Sequence, residues 1–441
     1  MTKLAIVALN EHFERSWLDT KIFEELSEIY ELDLFTCFQN DLKVKNVNIT
    51  LSVEEKYLKQ IAILRNLAWI TYRSKCSSFE FGLERSFLSD FYWIQKQFQF
   101  KKKLYFFLQS LKNFVKIFTS NKFNWFYFFP IKQQIFRILL NRLEPHIGLK
   151  NTFTKYDLVI LHSCMMEPYL PIILNSIKDT NTKSLMVLEN WDNLTSKQVL
   201  FINPDHVGVM GEVDKKNVIE IHNFSQEEVH NIGLPKFDIL GKFKYRPKSR
   251  SLKSIVYVGF SLPHDEIQFL NRLQSRLDKD GENFKLHYRP HPAAKRRLSD
   301  TILDSRISIT TLGKKASLYK FDDNYLNDVL DADFVIGAPT TFMLEVMQLG
   351  IPSFIDLTDD KIHRTTSANA SKRYLHMSQF VDLFRNYTFS NIDELMNLLK
   401  SGPYETDNYL EDMEKLVTID NNSYSSRLNE VITKILCRPS V

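Results

Sequence analysis

Three short stretches in the second half of this chain combine residue types that bind and turn over anionic ligands. The first is Leu286-His287-Tyr288-Arg289-Pro290-His291-Pro292, where a strand-like run stops at two prolines that bracket a histidine beside an arginine. Proline fixes φ and drives the preceding residue into extended conformations, so the pair aims His291 outward from the strand end. A guanidinium offers a planar fork of donors to a phosphate, and a neighbouring imidazole can hand a proton to a leaving group. The plainer alternative is a histidine satisfied inside a tight turn.

The second stretch runs from Asp333-Phe334-Val335-Ile336-Gly337 through Ala338-Pro339-Thr340-Thr341 to Glu345 and then Gly350-Ile351-Pro352. An apolar strand ends in small residues, two hydroxyl residues open a helix, and glycine followed by proline closes it. Free N–H groups and the positive end of the helix dipole make such a start an anion site for a mono- or diphosphate. Glu345, about one turn inside, would accept from ribose hydroxyls. Read more plainly, Thr340 is an N-cap and Glu345 a favourable early acid. The third stretch, Gly259-Phe260-Ser261, is a small-residue turn after Ser254–Val258, where backbone can approach a ligand.

Ligands of open parallel sheets bind beyond the carboxyl ends of strands, and all three stretches follow a predicted strand. The second half reads as a β-α-β series: Ser254–Gly259, a helix from about Asp265 to Lys279, Phe284–Tyr288, Ile307–Thr311, Phe334–Gly337, a helix over Phe342–Leu349, and Pro352–Asp356. Two amphipathic helical stretches are expected between Ile392 and Leu436. The first half opens on Leu4–Leu9, a helical pattern over Trp17–Leu26 and Leu32–Thr36. It resumes with strands at Tyr156–His162, Ser184–Glu189, Val207–Met210 and Ile232–Pro235. Between them a helical, aromatic and basic insertion occupies about 54–143. The polar, basic stretch from Gly241 to Lys253 is the best linker, which divides the chain into 1–245 and 246–441.

A length of 441 residues is too long for one ordinary core and fits two α/β domains with a cleft between them. The composition, 44% hydrophobic and 25% charged with only 12 glycines, excludes disordered and fibrous classes. A formal charge of +4 is too small to imply a nucleic-acid partner. Cys37, Cys76, Cys164 and Cys437 lie far apart without metal-ligand spacing and read as reduced thiols of a cytoplasmic protein. The apolar start, Leu4–Leu9, is too short for a signal peptide, and no run approaches the length of a spanning helix.

The Arg-Pro-His-Pro run, followed by a strand, Gly-x-x-Thr-Thr-x-x-x-Glu and Gly-x-Pro, resembles the GT-B superfamily of glycosyltransferases. The likeness is to the branch containing bacterial sialyltransferases, Kdo transferases and teichoic-acid glycerophosphotransferases. It implies an α/β fold of two Rossmann-like, doubly wound domains facing a cleft, here with the helical insertion in the N-terminal one. It implies that His291 binds the donor nucleotide or assists the leaving phosphate, that Thr340 and Thr341 hold the phosphate, and that Glu345 holds the ribose. Gly259, Ser261 and Arg289 complete the donor set. A CMP or CDP donor is favoured, with UDP and GDP open. The paired acids that bacterial sialyltransferases place before a glycine in the first domain are absent.

On the acceptor side the conspicuous loop is Leu188-Glu189-Asn190-Trp191-Asp192-Asn193-Leu194-Thr195-Ser196-Lys197. Asn190 and Asn193 would bind sugar hydroxyls, Trp191 would cover an apolar sugar face, and Asp192 would be the base, with an Asx-turn as its plain alternative. Glu11-His12 and His162-Ser163, at other strand ends, are alternative bases. Lys101-Lys102-Lys103, Tyr105-Phe106-Phe107 and Trp125–Phe129 place cations among aromatics, as a surface resting on anionic headgroups or as an ordinary aromatic core. The expectation is a transferase acting on a glycan or lipid-linked acceptor at the inner membrane face, with no cofactor and no metal, Arg289, His291 and the helix start neutralising the phosphate. Asp322-Asp323 and Asp359-Asp360 are the nearest carboxylate pairs. The rivals are a nucleotide-sugar 2-epimerase, a CDP-glycerol-type glycerophosphotransferase and a non-catalytic membrane-associated binding protein.

Overall fold

The computed structural model describes residues 1–9, 13, 16–18, 20–36, 45–48, 72, 76–79, 129–143, 150–163, 169–200, 202–241, 243, 252–260, 264–291, 302–310, 323–363, 366–401 and 406–437. Two parallel sheets organise them. The first has seven strands in the order β3-β2-β1-β4-β5-β6-β7, with β1 at Lys3–Ala8, β2 at Glu31–Thr36, β3 at Lys45–Asn48, β4 at Leu158–His162, β5 at Lys183–Val187, β6 at His206–Val209 and β7 at Val229–Asn231. The second has six, β10-β9-β8-β11-β12-β13, with β8 at Lys253–Val258, β9 at Phe284–Arg289, β10 at Ser308–Ile309, β11 at Phe334–Gly337, β12 at Ser353–Asp356 and β13 at Thr388–Phe389.

The central strands form because their runs are buried continuously rather than alternately, which suits sheets covered by helices on both faces. In β1, β2 and β8 every residue after the first is buried. Each sheet winds outward in both directions from its first strand, so the strand order reverses between β1 and β4 and between β8 and β11. At such a reversal the flanking connections leave toward opposite faces, and a crevice opens at the carboxyl ends. The two Rossmann-like, doubly wound units expected from the sequence are present.

Three expectations shift. The strand expected at Ile232–Pro235 lies earlier, at Val229–Asn231, because Gly233 adopts φ +76° and Pro235 starts a helix. The tail holds three helices rather than two, Ile392–Lys400, Thr406–Leu416 and Tyr424–Cys437. The last of them does not stay with the second unit. Its Tyr424, Leu428, Val431 and Ile432 pack with Trp17, Phe23 and the β1 side chains, while Arg427 donates to the carbonyl of Ile232 and pairs with Asp238 and Asp420. In the other direction, Leu234, Phe237 and Leu240 of the first half enter the second unit's core beside Val256 and Val335. The linker stretch lies mostly outside the described residues, as does most of the insertion, of which the helix Phe129–Leu143 is described. Cys76 is buried and Cys437 exposed, both free; Cys37 and Cys164 lie outside the described residues.

Candidate active site

The carboxyl ends of β8, β9 and β11 bring Gly259, Arg289, His291, Thr340 and Thr341 to the reversal point of the second sheet. Register alone does much of this, since Val258 lies opposite both Arg289 and Gly337. Gly259 is required by close approach: a Cβ there would stand 2.9 Å from the backbone nitrogen of His291 and 2.6 Å from Oε2 of Glu266. Glu266 fixes the turn. It accepts from the N–H of Phe260 at 2.9 Å and from the hydroxyl of Tyr288 at 2.5 Å, tying the ends of β8 and β9 together. Ser261 lies outside the described residues.

Arg289 is buried, and its guanidinium lies 4.3 Å from the centre of the Phe342 ring, in the first turn of the helix Thr341–Gln348. A cation over an aromatic face is attracted by the ring's quadrupole, so Phe342 holds the guanidinium at the start of the helix. Thr340 is the N-cap, its hydroxyl accepting from the N–H of Met343 at 3.3 Å. The hydroxyl of Thr341 donates to Oδ1 of Asn190 at 2.6 Å. That bond joins the helix Thr341–Gln348 to the loop after β5, so the two strand-end regions meet there.

Several sequence assignments need correction. Glu345, expected at the ribose, is 2% exposed, and its carboxylate pairs with Lys236 at 2.5 Å, locking the helix Pro235–Leu240 against the helix Thr341–Gln348. Trp191, expected as a sugar platform, is 5% exposed and sits edge-on against His376 and Phe380, each at 5.2 Å between ring centres. A large apolar ring gains more by filling the second unit's core than by waiting in water. Asp192, expected as the base, is buried and forms an ion pair with Lys197. Asn193 is committed as well: its Nδ2 donates to Oγ of Ser163 at 2.6 Å and to the carbonyl of Ser163 at 3.2 Å. Asp359 and Asp360 fold back on their own turn, accepting from the N–H groups of Lys361, Ile362 and His363. Burial alone would raise the Asp360 carboxyl, but N–H donors from His363, Ile362 and Asp265 and the His363 ring outweigh it and hold it at about 2. Asp322, Glu11 and His12 lie outside the described residues.

A polar cluster lines the seam behind Trp191. Oγ1 of Thr195 meets Nδ1 of His376 at 3.4 Å, and the amides of Asn217 and Gln379 pair reciprocally at 2.9 and 3.0 Å. Burial pushes His376 down to about 4, with Asp192 opposing and Lys197 adding to the shift. Burial and the nearby Asp192 charge push the Asp214 carboxyl well above the usual carboxylate range, against the opposing N–H of Met210.

At the reversal point of the first sheet, Nε2 of the fully buried His162 accepts the N–H of Leu9 at 3.1 Å, and its Nδ1 stands 3.3 Å from Oε1 of Glu189. Phe13 stacks on the imidazole at 5.0 Å. The roles of Glu189, Lys236 and Glu266 emerge only in the fold. An early acid in the helix after β8 was the one signal for Glu266; nothing local marks Lys236.

A scan of protein-family models matches none of them, and a search of curated proteins returns no match. Solved structures do match over the whole chain. MnaA from S. aureus, in a structure with UDP, superposes with a TM-score of 0.51 at 11% identity, covering 99% of this chain and 97% of that one. The chain has the GT-B fold. The lipopolysaccharide outer core galactosyltransferase WaaB, in its apo form, gives a TM-score of 0.48 at 12% identity over 98% of this chain and 99% of its own. The wall teichoic acid polymerase TagF gives 0.47 at 11% identity over 99% and 88%. At 11% identity the likeness to MnaA speaks for the fold alone.

Proposed function

We propose that this chain is a glycosyltransferase that moves a sugar from a nucleotide-sugar donor, CMP- or CDP-linked in the first instance, to a glycan or lipid-linked acceptor. The observation that carries the reading is the convergence of Arg289, stacked on Phe342, with a hydroxyl-capped helix start at the reversal point of the second sheet, bonded across to Asn190 of the first unit. A guanidinium and a helix N-terminus stabilise the negative charge that develops on a departing nucleotide phosphate, the task a metal ion performs elsewhere. His291 stands beside them with its backbone held against Gly259. The MnaA structure of the same fold holds UDP, which supports a nucleotide as the ligand.

For the acceptor, the helix Phe129–Leu143 leaves Ile135 and Ile138 exposed beside basic Arg142, which supports a lipid-linked acceptor approached at a membrane surface. Among the described residues no helix is long and apolar enough to cross a membrane.

The test is a thermal-shift titration of the purified chain with CMP, CDP, UDP and GDP, with and without EDTA, repeated on Arg289→Ala and His291→Ala. A shift with one nucleotide that survives EDTA and is lost in the variants is the expected result. A chain that responds to no nucleotide is a binding or assembly protein built on this fold, and the transferase reading fails.

A further inference from the structure

Resting on that transferase reading, we infer that Glu189 takes the proton from the acceptor hydroxyl and that His162 is the residue that positions it. Glu189 follows β5 directly, and its neighbour Asn190 is bonded to Thr341 at the phosphate-side helix, which places the carboxylate at the junction of donor and acceptor sides. Its side chain is 17% exposed, with Oε1 itself buried. Oε1 stands 3.3 Å from Nδ1 of His162, an ion-pair contact in which neither atom completes a hydrogen bond among the described residues.

The histidine is not free to act as the base itself. The N–H of Leu9 can only donate, so Nε2 of His162 holds a lone pair and the neutral ring carries its proton on Nδ1, toward Glu189. A second proton on Nε2 would point at the Leu9 N–H. With the ring fully buried and stacked on Phe13, neither rotation nor exchange with the cleft is open to it. His162 therefore holds one fixed N–H within reach of the carboxylate, which limits where the carboxylate can stand, and the acceptor proton stops at Glu189. The other candidate carboxylate in the same loop is excluded by geometry, since Asp192 is buried against Lys197.

The step balances without a further reactant. The acceptor oxygen bonds to the anomeric carbon as the bond from that carbon to the phosphate oxygen breaks. The acceptor proton passes to a Glu189 oxygen, and the bonding pair leaves on the nucleotide phosphate, facing Arg289 and the helix start. Water serves as a minimal acceptor for the same base.

The experiment measures nucleotide release from CMP-, CDP-, UDP- and GDP-linked sugars with water as acceptor, alongside calorimetric affinity for each free nucleotide. Glu189→Gln is expected to lower kcat about 100-fold or more, the range for a lost general base, while donor KM and nucleotide Kd stay within about threefold. Glu189→Asp recovers part of the rate. His162→Gln keeps an acceptor for Leu9 but turns no donor toward Glu189, and lowers kcat about tenfold; His162→Asn, with an amide N–H near the Nδ1 position, recovers from that loss. Unchanged melting temperatures separate these effects from misfolding. Glu189→Gln turning over donor within about threefold of wild type removes the base assignment and leaves the transferase reading standing. A wild-type chain that binds no nucleotide and cleaves no donor removes both.

Discussion

The two loops that meet at the Thr341–Asn190 bond look alike in composition and are built in opposite ways. After β9 and β11, charge and backbone donors gather at one point: the Arg289 guanidinium stands over the Phe342 ring at the start of the helix Thr341–Gln348. After β5, polar groups are spent. Asn193 is bonded to Ser163, Asp192 to Lys197, and Trp191 is driven into the core of the other unit. Of the ten residues from Leu188 to Lys197, Glu189 alone keeps a partly exposed carboxylate whose one partner is a buried imidazole. A loop rich in functional side chains can thus be a weld between domains rather than a binding surface, and the difference shows in where each side chain's hydrogen bonds end.

The contrast breaks most readily at Trp191. Trp191→Ala is expected to cost about 3–5 kcal/mol of stability in urea unfolding, the range for removing a buried indole. A variant that keeps full stability and loses acceptor binding would return the ring to the cleft. Next is His376 in the same seam. Its folded pKa, about 4, lies below the ordinary 6.5, so the unfolded chain binds more protons between those values and the histidine's contribution is lost as pH falls through that window. That amounts to up to about 3 kcal/mol. Asp214, shifted upward, works with the opposite sign, so the measurement is the difference in melting temperature between wild type and His376→Gln from pH 7 to pH 4. The difference should shrink on acidification; a constant gap would mean the ring does not resist protonation.

On the side of β9 and β11, Arg289→Lys keeps the charge and loses the planar fork and the stacking on Phe342. Nucleotide affinity should fall about tenfold to 100-fold by calorimetry, or about 1.4–2.8 kcal/mol. Equal affinity would show that only net charge matters there. The smallest effect belongs to the bond that joins the two regions. A double-mutant cycle on Thr341→Val and Asn190→Ala should give a coupling of about 0.5–1.5 kcal/mol in stability, the value of one hydrogen bond. No coupling would mean the two loops meet without holding one another.

Most of the strands and the helix Thr341–Gln348 with its Thr340 cap were legible in the sequence. Continuous apolar runs, a hydroxyl pair after small residues, and a proline-bracketed histidine are local signals, and local signals set which residues stand at strand ends. β13, a two-residue edge strand, carried too short a pattern to read, and the return of the helix Tyr424–Cys437 to the first sheet carried no pattern at all.

The amino-acid sequence by itself determined the two-unit α/β architecture and which residues stand at the strand ends of the second unit, because those depend on periodicity and on residues close together in the chain. Only the tertiary structure decided which polar residues remain free. Lys236 reaches Glu345, Leu9 reaches His162, and Trp191 finds Phe380, through contacts between segments that no local pattern relates. Whether a carboxylate serves structure or chemistry is fixed by the partner that folding brings to it.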